Sequence, residues 1–161
     1  MRELGFVLMA ALALGALVAV YLAERQRAAA IRALAIRFGF HYIGEALPRS
    51  LTLNGTPLER ASKVWNVIDG EPHGIRIIAF DCRVGVGRGS WRRTVIAVER
   101  GSNLSLLLNP EMKMDSVGSW KVLYRPQAST NFRVAGLMPV TELESYLNSV
   151  AADATKSSQR V

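Results

Sequence analysis

Residues 4–23, LGFVLMAALALGALVAVYLA, run for twenty positions without a charged side chain. A helix of that length rises about 30 Å, the thickness of a bilayer hydrocarbon core. No polar face interrupts the run, so a soluble core offers it no side to turn toward water. Gly5 and Gly15 are compatible with a spanning helix, because lipid presents the backbone with no competing hydrogen bonds. Tyr21 lies near one end, where an amphipathic ring suits the headgroup level. A cleaved signal peptide is the competing reading; it asks for an apolar region of about 7–15 residues, a basic start and an Ala-x-Ala-like site. Here the run is longer, Arg2 is offset by Glu3, Ala11-Leu12-Ala13 lies inside the run, and Tyr21 spoils a site ending at Ala23. The sequence therefore predicts an uncleaved single-pass anchor that meets the lipid bilayer through residues 4–23.

The rest reads as one soluble domain. Half of the residues are hydrophobic and 20% are charged, which excludes a disordered chain. A lone cysteine excludes a disulfide-stapled domain, and a lone apolar run excludes a multi-pass protein. The net charge of +7 lies entirely beyond the anchor, since residues 1–23 contribute only Arg2 and Glu3. Arg25, Arg27, Arg32 and Arg37 follow the run within 15 residues, against Arg2 on the other side. That asymmetry predicts an inner-membrane protein with its C-terminal domain in the cytoplasm; the opposite topology would make it a periplasmic accessory domain of an envelope complex.

Ile31, Leu34, Ala35 and Phe38 fall at i, i+3, i+4 and i+7, so residues 24–39 are expected to continue as a juxtamembrane amphipathic helix stopped by Gly39. Its arginines read as a solvated face, with attraction to anionic lipid as the functional alternative. Residues 40–61 carry turn signals at Pro48, Asn54-Gly55 and Thr56-Pro57, with Leu47, Leu51, Leu53 and Leu58 as anchors on the core. From 62 the period changes to two. Strands are expected at 62–68, 75–83, 91–100, 104–108, 120–125 and 131–137, with Val64 and Ile68 on one side of the first and Trp65 and Val67 on the other. A turn beginning at Asp69-Gly70 runs through Pro72 and Gly74. A final helix over about 142–152 is expected to bury Leu143, Leu147 and Val150, with Tyr146 beside them, under a capping box of Thr141 and Glu144. The fold class is α+β: an N-terminal transmembrane helix, then a small, mainly antiparallel sheet domain flanked by helices. The units are an anchor (1–23), the juxtamembrane helix (24–39), the α+β domain (40–153) and a polar tail (154–161).

Candidate chemistry concentrates at 81–93. Gly85, Gly87 and Gly89 alternate in a loop that could let backbone amides approach a phosphate, but a strand follows where a nucleotide loop needs a helix, and the Lys-Ser/Thr pair is absent. A hairpin loop is the default. Arg83, Arg88, Arg92 and Arg93 surround it, with Asp81 the one acid between 81 and 93. Arg92 and Arg93 are adjacent on a strand and point to opposite faces. The basic loop, comprising Arg83, Arg88, Arg92 and the three glycines, suits anionic headgroups or an unidentified protein partner. His41, His73 and Cys82 match no metal-ligand spacing, so no metal or cofactor is expected. Asp81 alternates with Ile77 and Ala79 and is expected to point inward; an enzyme reading would pair it with His41 or His73. The high pI of about 10.2 raises nucleic acid, but the arginines are spread along the chain, only Trp91 neighbours those of the loop, and no recognition motif is visible, which argues against it.

The series Arg37-Phe-Gly-Phe40, Tyr42-Ile-Gly-Glu-Ala-Leu-Pro48, Val67-Ile-Asp-Gly70, Ile77-Ile-Ala-Phe-Asp-Cys-Arg83 and Trp91-Arg-Arg-Thr-Val95 resembles small single-pass bacterial membrane proteins that form a family of unknown function. The resemblance covers residues 1–100. It implies the anchored layout and the compartment, and no catalytic residue. Together these readings predict a non-enzymatic interaction module on a membrane tether, with a ligand-binding or hydrolytic domain built on Asp81 as the alternative.

Overall fold

The apolar run and the amphipathic stretch after it form one helix, because nothing between Leu4 and Phe38 breaks the hydrogen-bond ladder. In a computed structural model, which describes residues 2–87, 90–99, 112–126 and 137–158, α1 spans Arg2–Phe38. Residues 24–38 continue the apolar run as the C-terminal part of this one helix, as expected. The helix is long and apolar enough to cross a membrane, with a mean hydropathy of 2.5 in its best window and none of that window buried. It ends in a Schellman motif: Gly39 takes φ +67°, its N–H donates to Ile36 O (3.2 Å), and Phe40 N–H donates to Ala35 O (2.8 Å).

Among the described residues six antiparallel strands follow: β1 His41–Gly44, β2 Ala61–Gly70, β3 Ile77–Val84, β4 Trp91–Glu99, β5 Lys113–Val117 and β6 Trp120–Tyr124. Their order in the sheet is β1-β2-β3-β4-β6-β5, so consecutive strands are neighbours except β4 and β5, between which β6 is inserted. A single 3-10 turn, Pro72–Gly74, links β2 to β3. The second helix, α2, runs Val140–Ser158. The α+β class holds. The expected strand at 104–108 and all but the last residue of that at 131–137, with Arg88, Gly89 and residues 159–161, lie outside the described residues.

Both faces of the sheet are covered, which explains why β3 and β4 read as near-continuous apolar runs. On one face Ile77, Ala79, Ile96, Val98 and Leu123 pack under Ile31, Leu34 and Ala35 of α1 and Leu143, Leu147 and Val150 of α2, with Tyr146 beside them. On the other, Ile78, Phe80, Cys82, Val95, Val122 and Tyr124 pack under Leu51, Leu53 and Leu58 from the irregular 45–60 segment, with Leu47 at the margin. Trp120 joins that layer and donates Nε1–H to Ser50 O at 2.9 Å.

Three local expectations are corrected. The alternation in β2 breaks at Asn66, which takes φ +53°; Trp65 faces Asp81 and Ile68 faces Ala79, so two residues of β2 oppose Phe80 alone. This bulge puts Trp65 and Ile68 on the helix side and Val64 and Val67 on the other. The first turn of α2 is not capped by Thr141. Its leading bonds run from Glu142 N and Leu143 N to Pro139 O, both at 3.0 Å, and Glu144 pairs with Arg37 across to α1 at 2.7 Å. The helix also continues to Ser158, into the segment read as a tail.

The sheet has a defined polarity relative to the anchor. Phe40 lies against Gly70, which is opposite Ile77 at the start of β3, whereas Asp81 meets Arg27 and Arg92 meets Glu24. β3 therefore runs back toward the apolar part of α1, so the end of β3 and the start of β4 lie nearest that part. The β5–β6 turn at Gly118-Ser119 lies at the opposite end, since Trp120 pairs with Glu99.

Candidate functional site

Asp81 sits on the helix-facing side of β3 and has no solvent exposure. A buried carboxylate must be paired and hydrogen-bonded, and here both oxygens are saturated. Oδ1 accepts from Arg27 Nη2 (2.8 Å) and from Thr94 Oγ1–H (2.7 Å). Oδ2 accepts from Arg27 Nε (2.8 Å) and from Asn66 Nδ2 (2.9 Å). Arg27 also donates Nη1–H to Met138 O at 2.8 Å and a second Nη2–H to Thr94 Oγ1 at 2.9 Å. Thr94 Oγ1 in turn accepts the Met138 N–H at 3.0 Å. One carboxylate thereby joins α1, β2, β3, β4 and the segment leading into α2. The bulge at Asn66 is what aims its amide at Asp81, and Tyr42 O–H holds the other end of that amide at 3.2 Å.

This overturns two expectations. Arg27 is not a solvated juxtamembrane cation; its side chain keeps 14% of its exposure and is the ion-pair partner of Asp81. Asp81 is not paired with a histidine either. Four donors thus occupy the roughly four acceptor sites that a carboxylate offers. His41 is exposed on the edge strand opposite Asp69 and does not join the cluster, and the backbone of His73 lies in the 3-10 turn.

Above the cluster, between α1 and the sheet, opens a cleft of about 400 Å³. Six cationic side chains line it, Arg25, Arg27, Arg32, Lys63, Arg83 and Arg92, against two carboxylates, Glu24 and Glu45. Lys63 is directly opposite Arg83, and Arg83 directly opposite Arg92, so β2, β3 and β4 present three cations abreast on one face. Strands lie about 4.8 Å apart, which sets that row within about 10 Å. Arg92 pairs with Glu24 at 2.6 Å and lies 5.7 Å from the Trp65 ring. Arg25 lies 5.7 Å from the Tyr21 ring, and Arg32 lies 4.7 Å from the Tyr42 ring. Among the described residues, Arg25, Arg32, Lys63 and Arg83 have no carboxylate partner. Arg37 stands outside the cleft, on Glu144.

The structure thus brings together Arg83, Arg92, Arg25, Arg27 and Arg32 of the expected site residues. Gly85 and Gly87 form the adjoining turn at φ +83° and +69°, and between them Val86 is 88% exposed, the most exposed large apolar side chain among the described residues. Lys63 and Trp65 were missed as site residues. Their signal is present, since each pairs across the ladder with a residue that was singled out, but pairing register is not readable before the sheet is known. On the opposite face Arg93 lies flat on Trp91, 3.4 Å from the ring centre, with Tyr124 beyond, and burial lowers its pKa to about 10. Burial also pushes the Cys82 thiol up to about 12, so it is a protonated core residue.

Comparison with protein-family models, with curated proteins and with solved structures returns no match.

Proposed function

We propose that the chain is a single-pass membrane protein whose α+β domain is a non-enzymatic interaction module working against anionic headgroups of its own bilayer. The observation that carries this reading is the height of the cationic row. Arg92 is fixed to Glu24, one residue past the apolar run, so the row stands at the level where the hydrocarbon core gives way to headgroups. Anionic lipid attracts basic residues there by about 1 kcal/mol each. The exposed Val86 at the same end of the sheet suits partial entry beneath the headgroups. Arginine asymmetry about the anchor favours the inner membrane with the domain in the cytoplasm, where the leaflet is anionic. Saturation of Asp81 disfavours the enzymatic alternative.

The test places a nitroxide at Val86→Cys or at Ser119→Cys in the full chain, reconstituted into bilayers containing phosphatidylglycerol. Oxygen against water-soluble nickel accessibility reports depth. Position 86 is expected in the headgroup layer or just beneath it, with position 119 in water. Equal aqueous accessibility at both positions refutes the reading.

A further inference from the structure

The least economical feature of the sheet is the row Lys63, Arg83 and Arg92. Like charges directly opposite on neighbouring strands destabilise a sheet, and this sheet places two such pairs side by side. Among the described residues, Arg92 is the one member of the row with a carboxylate partner, and Arg83 lies between two cations without one. From the other wall Arg25 and Arg32 face the same space, while Tyr42 and Trp65 supply flat, amphipathic sides.

We infer that this cleft binds one phosphate ester anion, with Arg83 as its central ligand. The inference rests on the reading of the cleft as headgroup-facing and adds the identity of what enters it. A guanidinium offers paired N–H donors that match two phosphate oxygens, and a flanking ammonium adds a point charge. Arg83 and Lys63 are positioned to supply these. The volume of about 400 Å³ is of the size that holds a small ligand rather than a bare ion, so glycerol or another small alcohol can accompany the phosphate between Trp65 and Tyr42. The chemistry is shared by a phospholipid headgroup and a soluble phosphorylated compound.

The experiment uses the full chain in nonionic micelles, titrated separately with short-chain phosphatidylglycerol and with glycerol phosphate, reading the thermal midpoint of the sheet. The wild type is expected to melt higher as ligand is added. Arg83→Gln, and as a second variant Lys63→Gln, should need at least tenfold more ligand for the same shift, as loss of a charge-assisted bond implies. Without ligand both variants should melt about 2 °C above the wild type, because a like-charge contact is gone. Arg49→Gln, on an exposed loop outside the cleft, should respond as the wild type does. A shift with lipid alone identifies a headgroup; a shift with glycerol phosphate, competing with the lipid, identifies a soluble ester. No shift with either, or equal responses from Arg83→Gln and Arg49→Gln, overturns the site. Headgroup apposition is read separately at position 86, so the two claims fail independently.

Discussion

Replacing Asp81 by Asn is the sharpest perturbation this architecture offers. The side chain keeps its size, but one oxygen becomes an NH2 group facing donors. On either choice of rotamer the amide nitrogen meets an Arg27 N–H at the place where an oxygen stood 2.8 Å away, together with either Thr94 or Asn66. Arg27 then remains a cation at 14% exposure with Met138 O, Thr94 and one amide oxygen around it. Removing one partner of a buried ion pair costs about 3–5 kcal/mol, a large share of the 5–15 kcal/mol that holds a domain together. For a domain of this size the midpoint should fall by about 10–20 °C. The assay is thermal or urea unfolding of the full chain in nonionic micelles, followed by near-ultraviolet circular dichroism of the sheet tryptophans. Arg27→Met alone strands Asp81 and should cost as much. With Asp81→Leu as the matching single variant, the double variant Arg27→Met with Asp81→Leu should be less destabilised than the sum of these two singles, giving a coupling of about 2 kcal/mol or more. A loss below about 1 kcal/mol for Asp81→Asn, or additivity of the two sites, would refute the claim that this pair joins the anchor to the sheet.

Other expectations are as specific. Gly70→Ala should lose about 1–3 kcal/mol by the same unfolding assay, because an added methyl would sit 2.1 Å from the Phe40 ring, in space already filled. Gly39→Ala should lose about 1 kcal/mol at the α1 terminus, where φ is +67°, and helical signal should fray there first. Cys82 should resist maleimide at pH 8 in the folded chain. Its folded pKa lies near 12 against an ordinary value near 9, so the native state keeps a proton that the unfolded chain releases. Its stabilising contribution is therefore complete below pH 9 and is lost as pH rises toward 12, by about 1.4 kcal/mol per unit. Cys82→Ala should lack that part of the alkaline decline, while Arg93, whose pKa burial lowers, acts in the other direction in both proteins and loses only the smaller contribution of Cys82 in the variant. Equal slopes in the two proteins between pH 9 and 11 would contradict the assignment.

Much of the framework was legible because it follows from local periodicity. The uncharged run declared the long helix, the spacing of Ile31, Leu34 and Ala35 declared its buried face, β-branched density marked β3 and β4, and the aromatic ends of WKVLY marked β6. Alternation also turned Asp81 inward correctly. Its partner stayed hidden because Arg27 lies 54 residues away and reads, in sequence, like any arginine beyond a membrane span. β1 and β5 escaped for a different reason. HYIG is short and KMDSV is poor in strand formers, and both are held by pairing to a neighbour rather than by propensity. The bulge had a visible marker in Asn66, a residue depleted in strands and tolerant of the left-handed region, yet its direction depended on a carboxylate 15 positions later. The cationic row illustrates the same limit. Each of its residues was visible as a charge, and only the register of three strands revealed them as neighbours.

The central claim is that anchor and sheet are one body, held through Asp81 so that the cationic row stays at the headgroups. The most direct measurement is the distance distribution between nitroxides at Leu17→Cys and Ser119→Cys, by pulsed electron resonance on the full chain in lipid nanodiscs. One narrow distance, broadened by Asp81→Asn, is the predicted result. A broad or multiply peaked distribution in the wild type would mean that the domain swivels on its tether, and the fixed height of the cationic row would fall with it.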